Sequence, residues 1–157
     1  MAKYRQNRNL EASLVDFITA ELVTAGWTGI NVIKGFPQEY KGKIPLIGVE
    51  ALEKTKQTLE IGGKNKIVYR NVKIRIFATS DGQRLDLADW LDELLEDDVS
   101  YYEYVITDGK VSAKTLKGRI EILRTLDDKK ELQNTENLEH EDKFRHVFVY
   151  EMRVVLN

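Results

Sequence analysis

KIVYRNVKIRIFATSDGQRLDLADWLDELLEDD, Lys66 to Asp98, passes from one periodicity to another within a single stretch. At first the residues alternate. Val68, Val72, Ile74, Ile76 and Ala78 take one parity, and Tyr69, Asn71, Lys73, Arg75 and Thr79 the other. Successive strand side chains point to opposite faces, so this reads as a strand with one wet face. Beyond Asp81 the spacing becomes three and four. Leu85, Ala88, Leu91, Leu94 and Leu95 form a stripe, widened by Leu87 and Trp90, with Asp86, Asp89, Asp92, Glu93 and Glu96 mostly opposite. Asp81 stands where a carboxylate accepts from the free N–H groups of a first turn. A strand running directly into an acidic amphipathic helix implies α and β elements packed on one another.

The acids in this stretch do not spell an ion-binding loop. A calcium loop of the EF-hand type needs oxygens at alternate positions around a central glycine. In DGQRLDLADWLD the glycine comes second and leucines occupy ligand positions. A phosphate loop needs more glycine and a Lys-Ser/Thr pair, both missing here. The stretch is a corner of the fold. Glu96, Asp97 and Asp98 crowd the C-terminal end of the helix, where its dipole disfavours negative charge by about 0.3–1 kcal/mol each. Either solvent screens them, or a basic surface on another copy or partner meets them.

Outward from this corner, the N-terminal side opens with a basic arm, residues 1–8, carrying Lys3, Arg5 and Arg8 without an acid. Leu10, Leu14, Phe17, Ile18 and Leu22 then mark a helix, with Asn9 as its N-cap and Gly26 as its stop. INVIKGF is a short strand that ends before Pro37, and PLIGVEAL with EKTKQTLEIG makes one long strand or two in line, the latter half exposed. Gly62 to Asn65 is a turn by composition. On the C-terminal side, SYYEYVI and KVSAKTLKGRIEILRTL flank Asp108-Gly109, a strong hairpin signal. Leu116, Ile120 and Ile122 share the inner face of that second strand. The polar segment 127–143 reads as a long loop. In the last strand Phe144, Phe148, Tyr150, Met152, Val154 and Leu156, with His146 among them, take the inner parity. Arg145, Val147, Val149, Glu151, Arg153 and Val155 take the outer. Three valines on an outer row call for a cover.

At 157 residues the chain makes one domain, 1–157, of the α+β class: a mixed, mostly antiparallel sheet flanked by two main helices. There is no cysteine, which excludes disulfides, thiolate metal sites and a cysteine nucleophile. His140, in the EHED of the polar loop, and His146 are the only histidines, too few for a His-based metal site or a catalytic triad. A net charge of −2 gives no overall pull towards nucleic acid or anionic lipid. MAKYRQNRNLEA lacks the apolar run of a secretory signal, and no stretch approaches a membrane span.

Two chemical constellations stand out. Glu50, Glu53 and Lys54 have the residue types of a nuclease metal site, but Glu50 and Glu53 differ in parity and should face opposite ways. Lys73, Arg75, Lys117, Arg119, Arg145 and Arg153 make a basic stripe for phosphates if their strands are neighbours. Against it stand Glu121, Glu151 and the lack of an aromatic platform. No catalytic, metal or cofactor site is expected, and no enzyme.

The order of helix, strands, hairpin, acidic helix and three-strand meander resembles the tail terminator or tail-completion proteins of long-tailed bacteriophages. The short N-terminal helix, the FP…IPLIGVE segment, and RNVKIRIFA running into RLDLADWLDELL carry the resemblance. It implies a structural virion protein of the tail, assembled in the host cytoplasm as a homohexameric ring. Such a ring caps the tail tube, stops its polymerisation and joins the head. Its partners would be other copies of itself, the tail tube protein and a head-completion or connector protein, with DNA passing through without sequence-specific binding and no membrane contact. The candidate interface residues are Lys3, Arg5, Arg8, Glu96, Asp97, Asp98, Val147, Val149, Arg153 and Val155. The long 127–143 loop leaves open a neck or connector protein. A small nucleic-acid-binding, nuclease-related protein is the alternative of another class.

Overall fold

Lys66 begins the strand on which everything else is built. The computed structural model describes residues 5–35, 45–59, 61–131 and 147–156, with backbone alone for 124–131 and 147–152. In chain order they form α1 (Gln6–Thr24), β1 (Asn31–Lys34), β2 (Leu46–Thr58) and β3 (Lys66–Phe77). Then come α2 (Asp81–Leu94), β4 (Val99–Thr107), β5 (Lys110–Glu131) and β6 (Val147–Leu156). The six strands make one sheet in the order β1-β2-β3-β6-β5-β4. Every ladder is antiparallel except β1–β2. The fold is α+β with a mixed sheet and two helices, as the periodicities imply.

Both helices lie on the same face of the sheet. Ile47 and Val49 of β2 pair with Ile76 and Ile74 of β3, and this row is fully buried. Leu10, Leu14, Ile18 and Leu22 of α1 pack on it together with Leu87, Leu91 and Leu95 from α2 and its end. Val99, Tyr101, Ile120 and Val154 complete the core. The alternation read from β3 holds, with one addition. Arg70 shares the inner parity and is buried, donating from Nε to Asn7 Oδ1 at 3.0 Å and from Nη2 to Gln6 Oε1.

The helix α1 packs against β1, β2 and β4, strands from opposite ends of the sheet order. The sheet therefore curls around it, and polar side chains along the helix tie the curl. Ser13 Oγ accepts from Tyr102 N–H at 2.9 Å, and Asn9 Oδ1 accepts from Tyr104 N–H at 3.3 Å. Both N–H groups belong to β4, the strand at one edge of the sheet. On the other side Glu11 Oε1 accepts from Ala51 N–H of β2 at 2.8 Å. These bonds supply partners that an edge strand otherwise lacks.

Several expectations need correction. Asn9 is not a cap: α1 starts earlier, with Arg5 at its N-cap, and Asn9 is buried inside the helix bonding to β4. Residues 6–8, assigned to a basic arm, are thus its first turn; Arg8 is exposed there, and residues 1–4 lie outside the described residues. The cap of α2 is Ser80, not Asp81. Ser80 Oγ accepts from Gln83 N–H, and Gln83 Oε1 accepts from Thr79 N–H, a variant of the capping box. Asp81 instead pairs with the buried Arg84 at 2.9 Å. The buried stripe of α2 is Arg84, Leu87, Ala88 and Leu91, and Leu85 is 48% exposed. Leu116 is 59% exposed because the β4–β5 ladder slips one residue at Lys117 and inverts the parity. The first part of the expected loop, Asp127–Glu131, belongs to β5. His140, Arg145, His146 and the rest of that segment lie outside the described residues.

Other readings hold. Asp108 and Gly109 have φ of 52° and 75°, the doubly left-handed pair of a two-residue hairpin. Gly26 ends α1, with its N–H on Val23 O and Trp27 N–H on Leu22 O. Its φ is +80° and a Cβ there would meet nothing within 4 Å. Gly26→Ala should therefore cost only the left-handed backbone penalty, about 1–2 kcal/mol, in denaturant unfolding.

Candidate interaction surfaces

At their C-terminal ends α1 and α2 converge around a hollow of about 530 Å³. Its floor is Phe17, Trp90 and Leu94, each only partly buried. Its rim is Glu21, Glu93, Asp97 and Asp98. Trp90 is braced from behind by Trp27, edge-on at 6.4 Å between ring centroids. The sequence places these groups simply. Phe17 and Glu21 are one turn apart on α1, Trp90, Glu93 and Leu94 share a side of α2, and the acids follow where that helix stops. Neither helix has a basic residue in its last turn. Two helix ends, each partly negative, therefore meet four carboxylates with no cation from either end to offset them. A second hollow, about 490 Å³, adjoins the first through Asp97 and Asp98 and adds Glu96, Ser100 and Arg119.

The sheet face away from the helices is the other candidate. Arg75 donates to Glu50 at 2.6 Å, and Asn71 donates to Glu53 at 3.0 Å. Glu50 and Glu53 thus sit on one face, contrary to the parity expectation, because an irregularity between Ala51 and Lys54 changes the register. Backbone and Asn71 hydrogen bonds hold the Glu53 carboxyl below its ordinary pKa. Both acids are engaged by β3, and Lys54 pairs with Arg70 instead. Among the described residues, no group of three acidic or histidine side chains is placed to share a metal ion.

The basic stripe is not continuous. β6 separates β3 from β5, Arg75 is taken by Glu50, and Arg119 lines the acidic hollow. The Arg153 guanidinium lies over the Tyr69 ring at 5.5 Å, a cation–π contact. Its Nε is buried without a partner among the described residues. Val155 is half-buried and pairs with Glu121. In register, Val147 stands opposite Phe77 and Val149 opposite Arg75; the side chains of these two valines lie outside the described residues.

Of the ten candidate interface residues, the structure groups Asp97 and Asp98 in one hollow, and both again with Glu96 in the next. Arg8 stands at the far end of α1 from them, and Arg153 and Val155 belong to the sheet. No protein-family model matches the chain, and a search of curated proteins finds no match.

Sequence reasoning placed Glu93 on the polar face but missed Phe17, Glu21, Trp90 and Leu94 as surface groups. The apolar ones sit on stripes that periodicity assigns to the core, and the structure leaves each of them only partly buried. Buried Arg70 and Arg84 were missed as well: each occupies an inward position beside apolar neighbours, where periodicity expects an apolar residue.

A further polar site joins α1 to the β4–β5 hairpin. Tyr104 donates its hydroxyl to Asp16 Oδ2 at 2.7 Å, and Lys114 lies 3.6 Å from the same carboxylate. Burial, then the Asp16 hydrogen bond and charge, push the Tyr104 phenol well above the usual range. Burial also raises the Tyr101 phenol, whose enclosed hydroxyl makes no hydrogen bond in the geometry of the described residues. A phenol raised in this way holds its proton more tightly in the folded state. Its contribution to stability is complete below pH ~10 and is lost as the pH climbs towards the raised value. Absorbance titration should show the Tyr101 and Tyr104 phenols ionising above the ordinary phenol range, with unfolding free energy falling above pH ~10.

Proposed function

We propose that this chain is a structural subunit of a long-tailed phage, joining copies of itself into a ring that caps the tail tube and receives the head. The observation that carries the reading is the hollow between the helix ends. Its partly open Phe17, Trp90 and Leu94 lie beneath four acids, a composition suited to a macromolecular contact. A ring subunit needs a surface of this kind. The resemblance in chain layout, which runs from α1 to the closing meander, supplies the biological setting. Localisation in the virion tail and contact with tube and connector proteins belong to the same proposal.

The test is direct. Purified protein, alone and mixed with tail-tube subunits, is sized in solution and imaged in negative stain. Ring particles, or tubes whose length stops growing on addition of the protein, are the expected result. A chain that stays monomeric and leaves tube growth unaltered would defeat the proposal.

A further inference from the structure

We infer that the acidic hollow between the C-terminal ends of α1 and α2 receives the basic N-terminal segment of a second copy of this chain. The inference rests on the ring reading above and names the segment and the seat that would make the contact.

Charge complementarity comes first. The chain's first ten residues, MAKYRQNRNL, carry Lys3, Arg5 and Arg8 and no acid. The seat offers four carboxylates over an aromatic and aliphatic floor. A lysine or arginine suits such a place, since its stem covers apolar surface while its head meets the acids. Aromatic faces add cation–π attraction.

Reach then decides between the chain's own segment and a neighbour's. Arg5 caps the N-terminal end of α1, whereas Phe17 and Glu21 of the seat lie towards the C-terminal end. At 1.5 Å per residue, Phe17 is about 18 Å and Glu21 about 24 Å along the helix from Arg5. Lys3 stands two residues before Arg5, a backbone reach of about 7 Å. Arg8 is fixed on the first turn of α1. None of the three can enter the seat of its own chain, so a second copy must supply them.

The geometry of that contact follows. Donor and seat occupy opposite ends of the same helix, so the pairing is heterologous, head to tail. A contact of this type closes into a ring when its rotation permits and otherwise runs on as a chain. The positive N-terminal end of one α1 would meet the negative C-terminal end of the next, which favours this orientation.

Of the two tryptophans of the chain, Trp90 lines the seat and Trp27 packs edge-on against its ring. They provide the readout. A synthetic peptide of residues 1–10 is titrated into the full chain at low concentration while tryptophan emission is followed. The expected result is a saturable change. Binding should weaken by about tenfold or more for a peptide with Lys3→Glu, Arg5→Glu and Arg8→Glu, and for a protein with Asp97→Lys and Asp98→Lys. Combining the reversed peptide with the reversed protein should recover part of the affinity. Asp97 and Asp98 are exposed beyond the helix, so the protein variant should keep its unfolding midpoint. Equal binding of a reordered peptide of the same composition, or undiminished binding by the Asp97→Lys/Asp98→Lys protein, would overturn the inference. Rings that form unchanged from that variant would overturn it too, while leaving the tail-ring reading intact. Specific peptide binding by a chain that never forms rings or acts on tubes would support the seat and sink the tail reading.

Discussion

Asn9→Ala combined with Ser13→Ala is expected to destabilise the protein by about 2–4 kcal/mol, measured by denaturant unfolding, with β4 loosening before the rest of the sheet. The two side chains accept from the N–H groups of Tyr104 and Tyr102. Both are buried in α1, at 3% and 1% exposure. Alanine removes the acceptors and supplies nothing in return. A buried donor left without a partner costs about 1–3 kcal/mol, and the double variant leaves two. Hydrogen exchange separates this from a general loss of packing. The Tyr102 and Tyr104 amides should lose protection ahead of those of β3, whose partners on β2 and β6 are untouched. Equal loss across both strands would mean that α1 only packs against β4 and does not tether it.

Leu91→Ala should cost about 2–5 kcal/mol, while Leu85→Ala on the same helix should stay within ~0.5 kcal/mol. Leu91 is fully buried in the core that joins α2 to β3, and its truncation leaves a cavity bounded by strand residues that cannot close over it. Leu85 is nearly half exposed and has little contact to lose. The pair tests the corrected stripe: chemical denaturation of the two single variants should differ by several-fold in the free energy lost. A large effect at Leu85 would restore the stripe that spacing alone suggests.

That stripe shows how a helical pattern can be legible in type and wrong in phase. Leucine at 85, 87, 91, 94 and 95 satisfies more than one apolar face, and only contact with the sheet selects among them. Arg84 settles the matter. Its guanidinium is paired with Asp81, which allows an arginine to occupy the inward row where a leucine would be expected. A similar ambiguity affected Glu50 and Glu53. Strict alternation separates them, whereas the register change beside Ala51 brings both to the face where Arg75 and Asn71 wait. Irregularities of this kind are set by what the neighbouring strand offers and leave no reliable mark in one strand's own letters.

The hollow between the helix ends was half legible. Glu96, Asp97 and Asp98 stand out as acids crowded at a helix stop, and they line the hollows that the structure shows there. The floor was not foreseeable from spacing. Phe17 and Trp90 repeat at core intervals, and whether a core position is covered depends on how far the opposing layer extends.

The amino-acid sequence by itself determined the kinds of element, their order and several of their ends. Period two against period three and four distinguishes strand from helix, Gly26 and Asp108-Gly109 adopt backbone angles that few other residues tolerate, and these are properties of short stretches. Only the tertiary structure decided that α1 lies inside the curl of the sheet, ties the β4 edge through Asn9 and Ser13, and meets α2 in an acidic hollow. Those features join residues far apart in the chain, such as Ser13 and Tyr102. Their energies depend on which surfaces face each other, a quantity that no local pattern encodes.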